Sequence, residues 1–231
     1  MVFQVVRQKY EVQVYDEYVI SGNTAVLKCQ VPSYVAEYVM VTSWVQDGSV
    51  NIYPNTDTGG KYAVLMSGDL YIYNAGPSDG YKSYACRTVH RLTGEVHSST
   101  YPGRIIITGT DNTSRASPTE GSISRAKKII EPKGSVQPRI TVEKHVTKQV
   151  KAGDDITLPC VAQGFPVPTY RWFREDRDQL LAVNVGERVN VLAAGLLRIA
   201  KVRLEDKGKY LCWVNNSAGE ETVQVTLTVS G

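Results

Sequence analysis

The sequence predicts an all-β chain made of two tandem immunoglobulin-like β-sandwich domains of the I-set type, joined by a flexible linker. The first observation is that the order cysteine, tryptophan, cysteine occurs twice. The six residues are Cys29, Trp44 and Cys86, then Cys160, Trp172 and Cys212. The second observation is a tyrosine two residues before the last cysteine of each set, Tyr84 and Tyr210. The third is the length of 231 residues, which holds two domains of about 100 residues each.

The stretch from Asp206 to Cys212 explains why these residues fit a sandwich. A tyrosine two residues before the cysteine forms a tyrosine corner, in which its hydroxyl bonds back to the preceding turn. Gly208 permits the tight turn, and Asp206 supplies a side-chain oxygen for the amides there. The corresponding stretch before Cys86 has one extra residue. We therefore expect Trp44, Tyr84, Trp172 and Tyr210 to lie in the two cores.

Composition divides the chain into an immunoglobulin-like domain over 1–110, a linker over 111–137 and a second domain over 138–231. The linker is rich in Gly, Ser, Thr, Pro and basic residues and has few apolar residues to bury, so we expect it to be flexible. The net charge of +3 is spread along the chain, without the basic cluster that nucleic-acid binding requires.

Alternating residues predict the strands in order. In the first domain they indicate an edge strand over 9–20, strands over 25–31, 62–66 and 70–73, and two final strands around a turn at Thr93-Gly94-Glu95. In the second domain they indicate an edge strand over 140–150, strands over 156–160, 170–173 and 196–199, and a last hairpin turned at Gly219.

The four cysteines are expected to pair within their own domains, Cys29 with Cys86 and Cys160 with Cys212, because each pair bridges the two sheets of a sandwich. Each bridge closes a loop of more than 50 residues, which stabilises by about 4 kcal/mol in the chain-entropy model. Disulfides indicate an extracellular protein. The alternative is an intracellular, muscle-type domain with free buried cysteines. Because the chain lacks a signal peptide and an apolar run of membrane-spanning length, we expect a fragment of a longer protein.

Catalytic and metal-binding motifs are not found in the sequence. The three histidines, His90, His97 and His145, stand apart from cysteine or carboxylate clusters at ligand spacing, so we interpret them as surface residues. Phosphate loops and nucleophile elbows are also missing. We predict a non-enzymatic protein without a cofactor, a metal or a small-molecule substrate.

Two sequons predict N-linked glycans, Asn112-Thr113-Ser114 and Asn215-Asn216-Ser217. Asn112 in the linker is expected to be the better acceptor, because Asn215 lies close to a hairpin turn. Twelve of the 14 tyrosines fall in the first 110 residues. Tyrosine supplies contact area at low entropic cost, which favours a binding surface in the first domain. The tyrosines expected on edges or loops are Tyr15, Tyr34, Tyr38 and Tyr53.

Three segments resemble the Down syndrome cell adhesion molecule family. They are Val31 to Val35 followed by Val41 to Trp44, the hairpin His90-Arg91-Leu92-Thr93-Gly94-Glu95, and Gly208 to Ser217. The chain is most similar to the second and third immunoglobulin domains of hypervariable invertebrate members, except that its linker is longer. The resemblance implies part of the ectodomain of a single-pass neuronal and immune cell-surface receptor. Its implied partners are further immunoglobulin domains of that receptor and other copies of the same isoform.

The resemblance also implies pairing between edge strands, which offer unpaired amides and carbonyls to a second copy across a two-fold axis. We expect Val12, Val14, Val142, Val146 and Val150 to point inward. The residues expected to face the partner are Lys9, Glu11, Gln13, Tyr15 and Glu17 in the first domain and Glu143, His145, Thr147 and Gln149 in the second. A bulge before Val19 would reverse the first alternation. The alternatives are a receptor or soluble immune module that captures an unrelated ligand, and a passive spacer.

Overall fold

The computed structural model describes residues 9–54, 60–108, 134–177 and 179–231. These residues form two β-sandwiches with three short 3₁₀ turns, at Pro77–Tyr81, Ala193–Gly195 and Leu204–Asp206. The chain divides into two compact units, and the second includes Tyr18–Thr24 and Tyr73–Pro77 besides the residues from Ile107 onward. Most of the expected linker lies outside the described residues, so the boundaries at 110 and 138 remain predictions.

Within its described residues, the first sandwich has nine strands. They are β1 (Glu17–Ile20), β2 (Ala25–Leu27), β3 (Val39–Gln46), β4 (Val50–Ile52), β5 (Tyr62–Val64), β6 (Leu70–Ile72), β7 (Ser83–His90), β8 (Val96–Ser98) and β9 (Gly103–Thr108). One sheet has the order β1-β9-β7-β3-β4, with β8 paired to β7, and the other has the order β2-β6-β5. The expected turn at Thr93 to Glu95 joins β7 to β8, and the amide of His90 donates to the carbonyl of Glu95 at 2.9 Å.

The described part of the second sandwich has ten strands. They are β10 (Val136–Ile140), β11 (His145–Lys151), β12 (Ile156–Leu158), β13 (Ala162–Phe165), β14 (Thr169–Asp176), β15 (Gln179–Ala182), β16 (Val189–Val191), β17 (Leu197–Ile199), β18 (Gly208–Asn216) and β19 (Gly219–Ser230). The largest sheet has the order β11-β19-β18-β14-β15, while β12-β17-β16 and β10-β13 form two smaller sheets. The all-β expectation of two immunoglobulin-like sandwiches is thus confirmed.

Both expected disulfides are formed. Cys29 and Cys86 are joined with their Cα atoms 5.9 Å apart, and Cys160 and Cys212 with theirs 6.3 Å apart. Each bridge has a buried tryptophan in the same core. Trp44 Nε1 donates to the Gly68 carbonyl at 2.9 Å, and Trp172 Nε1 donates to the Gly195 carbonyl at 2.7 Å. Each indole therefore buries its apolar surface without leaving its N–H unpaired.

The two sandwiches differ at the tyrosine corner. The Tyr210 hydroxyl donates to the carbonyl of Asp206 at 2.8 Å. Tyr84 is fully buried, but within the described residues its hydroxyl has no hydrogen-bond partner. The extra residue between Asp79 and Tyr84, compared with Asp206 and Tyr210, explains the difference, because it changes where the turn carbonyls lie relative to the ring.

Each corner also has a buried aspartate that pairs with a basic side chain. Asp206 accepts from Arg188 Nη1 at 2.6 Å and from Arg188 Nη2 at 2.9 Å. Asp79 lies 2.6 Å from Lys61 Nζ and 3.2 Å from Lys82 Nζ. A buried carboxylate needs such partners, because leaving it alone would cost several kcal/mol.

The edge strand expected over 9–20 is wrong over most of its length, because only Glu17–Ile20 is a strand. Tyr15 and Asp16 are both exposed, which interrupts the alternation of buried and exposed side chains. Asp16 Oδ1 accepts a hydrogen bond from the Arg104 amide at 2.8 Å. Val14 and Val19 are nevertheless both buried, so the alternation changes parity between them. Glu17 was expected to point outward, but the interruption leaves it half-buried. Burial raises the pKa of its carboxyl, against the attraction of Lys28.

The single strand expected over 140–150 is also wrong, because the chain forms two strands there. β10 pairs with β13, whereas β11 pairs with β19 in a different sheet. The switch occurs over 141–144, where Glu143 and Lys144 put polar side chains between Val142 and His145. Lys144 lies at a position that a continuous strand would turn toward the core, so the chain leaves one sheet before it joins the other.

Candidate functional site

The outermost strand β11 is a free edge of the five-stranded sheet in the second sandwich. It runs parallel to β19, with a register from His145 opposite Gln224 to Lys151 opposite Ser230. The other side of β11 has no paired strand in the described part of the chain. An open edge of seven residues is a template for strand addition unless side chains prevent it.

The backbone groups of β11 alternate between β19 and solvent. The Gln224 amide donates to the Lys144 carbonyl at 2.8 Å, and the Ala152 amide donates to the Ser230 carbonyl at 2.8 Å. In a parallel ladder these two bonds mean that the amides and carbonyls of the even-numbered residues of β11 point to β19. The amides and carbonyls of His145, Thr147 and Gln149 therefore point away from the sheet and are available to another strand.

The side chains of β11 follow the same alternation. Val146 and Val150 are half-buried, and Val150 packs against the core. His145, Thr147, Gln149 and Lys151 are exposed, as is Glu143 just before the strand. Among the described residues neither Glu143 nor Lys151 has an ion-pair partner, although Lys144 lies 3.4 Å from Glu221. One end of this edge thus has a free carboxylate and the other a free ammonium group.

The predicted edge in the first sandwich differs because its backbone is already bonded over 12–13. Gln13 and Gln30 exchange both backbone hydrogen bonds, at 3.2 and 2.8 Å, and the Val12 carbonyl accepts the Thr100 amide at 2.9 Å. Residues 9–15 can therefore offer a partner mainly side chains. β1 is an outer strand of the larger sheet of this sandwich, and its Tyr18 is 65% exposed.

The side chains predicted for the first edge lie on the surface and contact one another. Lys9, Glu11, Gln13 and Tyr15 are all exposed. The Tyr15 hydroxyl donates to Gln13 Oε1 at 2.6 Å, and the Tyr34 hydroxyl donates to the Lys9 carbonyl at 3.2 Å. Hydrogen bonds within the chain thus join the side chains of Tyr15 and Gln13 and fix the backbone at Lys9 before any partner arrives. Tyr34, Tyr38 and Tyr53, expected on loops or edges, are also exposed.

Sequence reasoning missed two residues of these edges, Tyr18 and Lys151. Tyr18 was missed because the alternation was continued through the interruption at Asp16. Lys151 was missed because the strand was ended at Val150, whereas β11 continues for one more residue. At both interruptions a charged residue, Asp16 or Lys144, stands where the alternation would place an inward side chain, and this is visible in the sequence.

The described residues do not form a cluster of three or more potential metal ligands. His97 packs against Tyr10 with ring centroids 4.8 Å apart, and His90 lies 6.1 Å from the rings of both Tyr10 and Tyr38. A cavity of about 370 Å³ in the second sandwich is lined by Arg174, Arg188, Asp206 and Tyr210. Three of its charged groups are already bonded, Arg188 to Asp206 and Arg174 to the carbonyls of Glu205 and Lys207. This arrangement holds the corner together and leaves little to bind a ligand.

The two sequons fall in different parts of the chain. Asn112 lies outside the described residues. Asn215 lies on β18, half-buried, and its Oδ1 accepts the Thr169 hydroxyl at 2.7 Å. Two residues earlier, Trp213 points to the same outer face, as alternation with Cys212 predicts. Its Nε1 donates to Glu220 Oε2 at 2.9 Å, and the Arg171 guanidinium lies 5.6 Å from its ring centroid. Trp213 thus packs against neighbours in its own sheet.

Comparison with known proteins gives matches over almost the whole chain. A family model described as immunoglobulin domain matches residues 137–216. The cell adhesion molecule Dscam1 of Drosophila melanogaster is 42% identical over 228 residues, which are 98% of this chain and 10% of that protein. The human cell adhesion molecule DSCAM is 31% identical over 219 residues, 95% of this chain and 9% of that protein. The chain thus spans about a tenth of the length of these curated relatives.

Solved structures agree with the sequence matches. The N-terminal four immunoglobulin domains of Dscam1 isoform 6.9 match with a TM-score of 0.83 and 42% identity, over 97% of this chain and 53% of that chain. A structure described as the structural basis for Dscam isoform specificity matches with a TM-score of 0.83 and 43% identity, over the same shares of the two chains. The resemblance seen in the sequence is confirmed. The chain belongs to the Down syndrome cell adhesion molecule family of immunoglobulin-domain proteins.

Proposed function

We propose that this chain is an extracellular recognition module that binds other copies of itself through edge strands, chiefly through β11 across a two-fold axis. The observation that carries the proposal is the free edge of β11, where His145, Thr147 and Gln149 direct both backbone groups and exposed side chains outward. The description of the relatives as cell adhesion molecules supports it.

Charge selects one register for the pairing of two β11 edges. In an antiparallel pair centred on Thr147, this residue faces its own counterpart, His145 faces Gln149, and Glu143 faces Lys151. The opposite charges then meet twice, once on each side of the axis. Each such cross-strand pair contributes roughly 0.2–1 kcal/mol. Registers centred on His145 or Gln149 lose these ion pairs and shorten the overlap, so the register centred on Thr147 is favoured.

The first sandwich contributes side chains to the same recognition. Lys9, Glu11, Gln13 and Tyr15 form an exposed row, in which Tyr15 donates a hydrogen bond to Gln13 and the Lys9 carbonyl accepts one from Tyr34. Near a two-fold axis each side chain meets a copy of its own neighbours, so a substitution changes both halves of the contact. Opposed like charges or a clash cost more than a good match gains, which is how such a row discriminates between isoforms.

The location follows from the two disulfides, which require an oxidising compartment. In the described residues there is no helix of the length and apolarity that crossing a membrane requires. We assign the chain to the ectodomain of a membrane receptor, next to further immunoglobulin domains. Its role is binding, and the proposal includes no catalytic step.

A second candidate function is the capture of an unrelated ligand by the first sandwich. Tyr34, Tyr38 and Tyr53 favour it, because all three are exposed and tyrosine is enriched in binding loops. Such a module would stay monomeric at concentrations where homophilic copies associate. Self-association therefore distinguishes the two functions.

Charge reversal on β11 tests the proposal. Glu143→Lys places two like-charged pairs at the interface, so we expect the association constant to fall roughly 3- to 30-fold, on the scale of the cross-strand energies. Lys151→Glu should weaken association similarly, and the variant with both changes should recover it. Sedimentation velocity over a range of concentrations measures the effect. Equal association of the native chain, the two single variants and the double variant would contradict pairing through β11. Glu11→Lys applies the same charge reversal to the first sandwich.

A further inference from the structure

We infer that Asn215 is an N-glycosylation site whose glycan covers the outer face of the large sheet at the β18–β19 hairpin. The inference rests on the extracellular location in the proposed function, since the transferase acts in the secretory pathway. The geometry of Asn215, rather than the sequon alone, carries it.

The side-chain amide of Asn215 is held so that its nitrogen remains free. Oδ1 accepts the Thr169 hydroxyl at 2.7 Å, whereas within the described residues Nδ2 donates no hydrogen bond. A glycosylated amide keeps its carbonyl oxygen, so the Thr169 bond survives modification. The neighbouring Asn216 is the opposite case, because its Nδ2 donates to the carbonyls of Val136 and Pro166 at 2.7 and 2.9 Å.

The surroundings of Asn215 leave room for a sugar. Asn215 lies opposite Thr169 on β14 and opposite Glu220 on β19, and both of these side chains are exposed. Ser217, the hydroxyl residue of the sequon, is exposed in the turn that follows β18. Both residues opposite Asn215 thus lie at the surface, which leaves space beside Nδ2 for a glycan.

The chemistry is transfer of an oligosaccharide from a polyprenyl-diphosphate donor. Nδ2 of Asn215 forms a bond to the anomeric carbon of the first sugar and loses one proton. The bond from that carbon to the diphosphate oxygen breaks, and the polyprenyl diphosphate leaves with its electron pair. Because transfer precedes folding, the folded chain need only accommodate the product, and the free Nδ2 meets that condition.

The position also separates the glycan from the proposed interface. Asn215 is on β18, two strands away from β11, at the hairpin end of β19. β11 pairs with β19 only from Gln224 onward, about 13 Å along the strand from Glu220. The glycan thus covers the surface around Trp213 and Arg171 and leaves the free edge of β11 open. It directs contacts between copies to the edge and away from the sheet face.

Mass mapping of the secreted chain tests the inference. The full chain is secreted from insect cells. Peptide N-glycosidase in ¹⁸O-water then removes its glycans and converts each glycosylated asparagine to ¹⁸O-labelled aspartate. We expect the peptide with Asn215 to contain ¹⁸O-labelled aspartate in the native chain and unlabelled asparagine in Ser217→Ala. Ser114→Ala, which removes only the sequon of Asn112, should leave the label at Asn215. A co-secreted glycoprotein verifies that the transferase is active.

Unmodified Asn215 in secreted protein with both disulfides intact would overturn the inference, whatever the state of Asn112. Sedimentation before and after enzymatic deglycosylation separates this inference from the proposed function. We expect unchanged association. A glycan at Asn215 on a strictly monomeric chain would leave the glycan assignment standing and refute the homophilic function, whereas stronger association after deglycosylation would overturn the claim that the glycan leaves the edge open.

Discussion

Tyr210 and Tyr84 hold the same place in their sandwiches, yet only Tyr210 completes a corner. Its hydroxyl donates to the Asp206 carbonyl, whereas the buried Tyr84 hydroxyl has no hydrogen-bond partner in the described part of the chain. Burial raises the pKa of both phenols, and neither ionises near neutral pH. The two residues therefore form a natural matched pair for measuring what the corner bond contributes.

We predict that Tyr210→Phe lowers the free energy of unfolding of the second sandwich by about 1–3 kcal/mol, because it leaves the Asp206 carbonyl buried without its donor. Tyr84→Phe should change that of the first sandwich less than Tyr210→Phe changes that of the second, since the Tyr84 hydroxyl makes no corner bond to its turn. Chemical denaturation with both disulfides intact measures the two changes. Equal losses in the two variants would show that ring packing, rather than the hydrogen bond, stabilises the corner.

Asp206 makes the second sandwich sensitive to acid. Burial opposes its ionisation, but Arg188 and the Arg203 amide outweigh burial and lower the pKa of the carboxyl. Because this pKa is lower than that of the unfolded chain, about 3.9, the ionised carboxylate stabilises the fold at neutral pH. That contribution is lost as the pH falls below about 4.

We predict that Asp206→Asn is less stable than the native chain at pH 7 and loses less of its remaining stability between pH 5 and pH 2. Glu205→Gln, at a neighbouring exposed carboxylate, is the control and should follow the native pH profile. Thermal unfolding across this range is the measurement. Parallel profiles for Asp206→Asn and the native chain would mean that other carboxylates cause the acid sensitivity.

At the scale of the element, β11 has two kinds of residue, whose backbone amides and carbonyls point in opposite directions. The amide of Thr147 points to solvent, and that of Lys148 points to β19 by the alternation of the parallel ladder. Proline has no amide hydrogen, so it is tolerated where the amide faces away from the ladder. Proline substitutions at these two adjacent residues therefore distinguish an effect on association from an effect on folding.

We predict that Thr147→Pro leaves the second sandwich folded and weakens self-association about 5- to 150-fold, because the two symmetry-related hydrogen bonds at the axis contribute about 1–3 kcal/mol together. Lys148→Pro should instead destabilise the fold, since it removes a bond to β19. Circular dichroism and sedimentation velocity separate the two effects. If Thr147→Pro associates like the native chain, the β11 backbone takes no part in the contact.

The order and spacing of β7, β8, β18 and β19 could be predicted from the sequence because tight turns and inward cysteines define them. The two edges were predicted less well. Alternation alone does not reveal that a strand leaves its sheet, as between β10 and β11, since valines at Val142 and Val146 keep the same parity across the break. The bonding of Gln13 to Gln30 also depends on tertiary packing that no local pattern encodes.

At the scale of the whole molecule, the repeated cysteine, tryptophan and tyrosine order was sufficient to predict two sandwiches and both disulfides. The surface that recognises a partner is harder to predict, because exposed side chains are under no packing constraint that leaves a pattern. The chain covers about a tenth of its curated relatives, so its own contacts are a small part of theirs. Weak contacts of this kind gain strength when several domains engage together.

The central claim, that two copies pair antiparallel through β11 with Thr147 on the axis, is tested most directly by a cysteine at that residue. In this register the two Cα atoms at 147 lie about 5.5 Å apart, within the range for a disulfide. Copies of His145→Cys or Gln149→Cys place their own cysteines about 13 Å apart, so neither should cross-link alone, but a mixture of the two should. We predict rapid disulfide-linked dimers for Thr147→Cys under mild oxidation, measured by non-reducing electrophoresis. Equal cross-linking by the three single variants, or none by Thr147→Cys, would contradict the account.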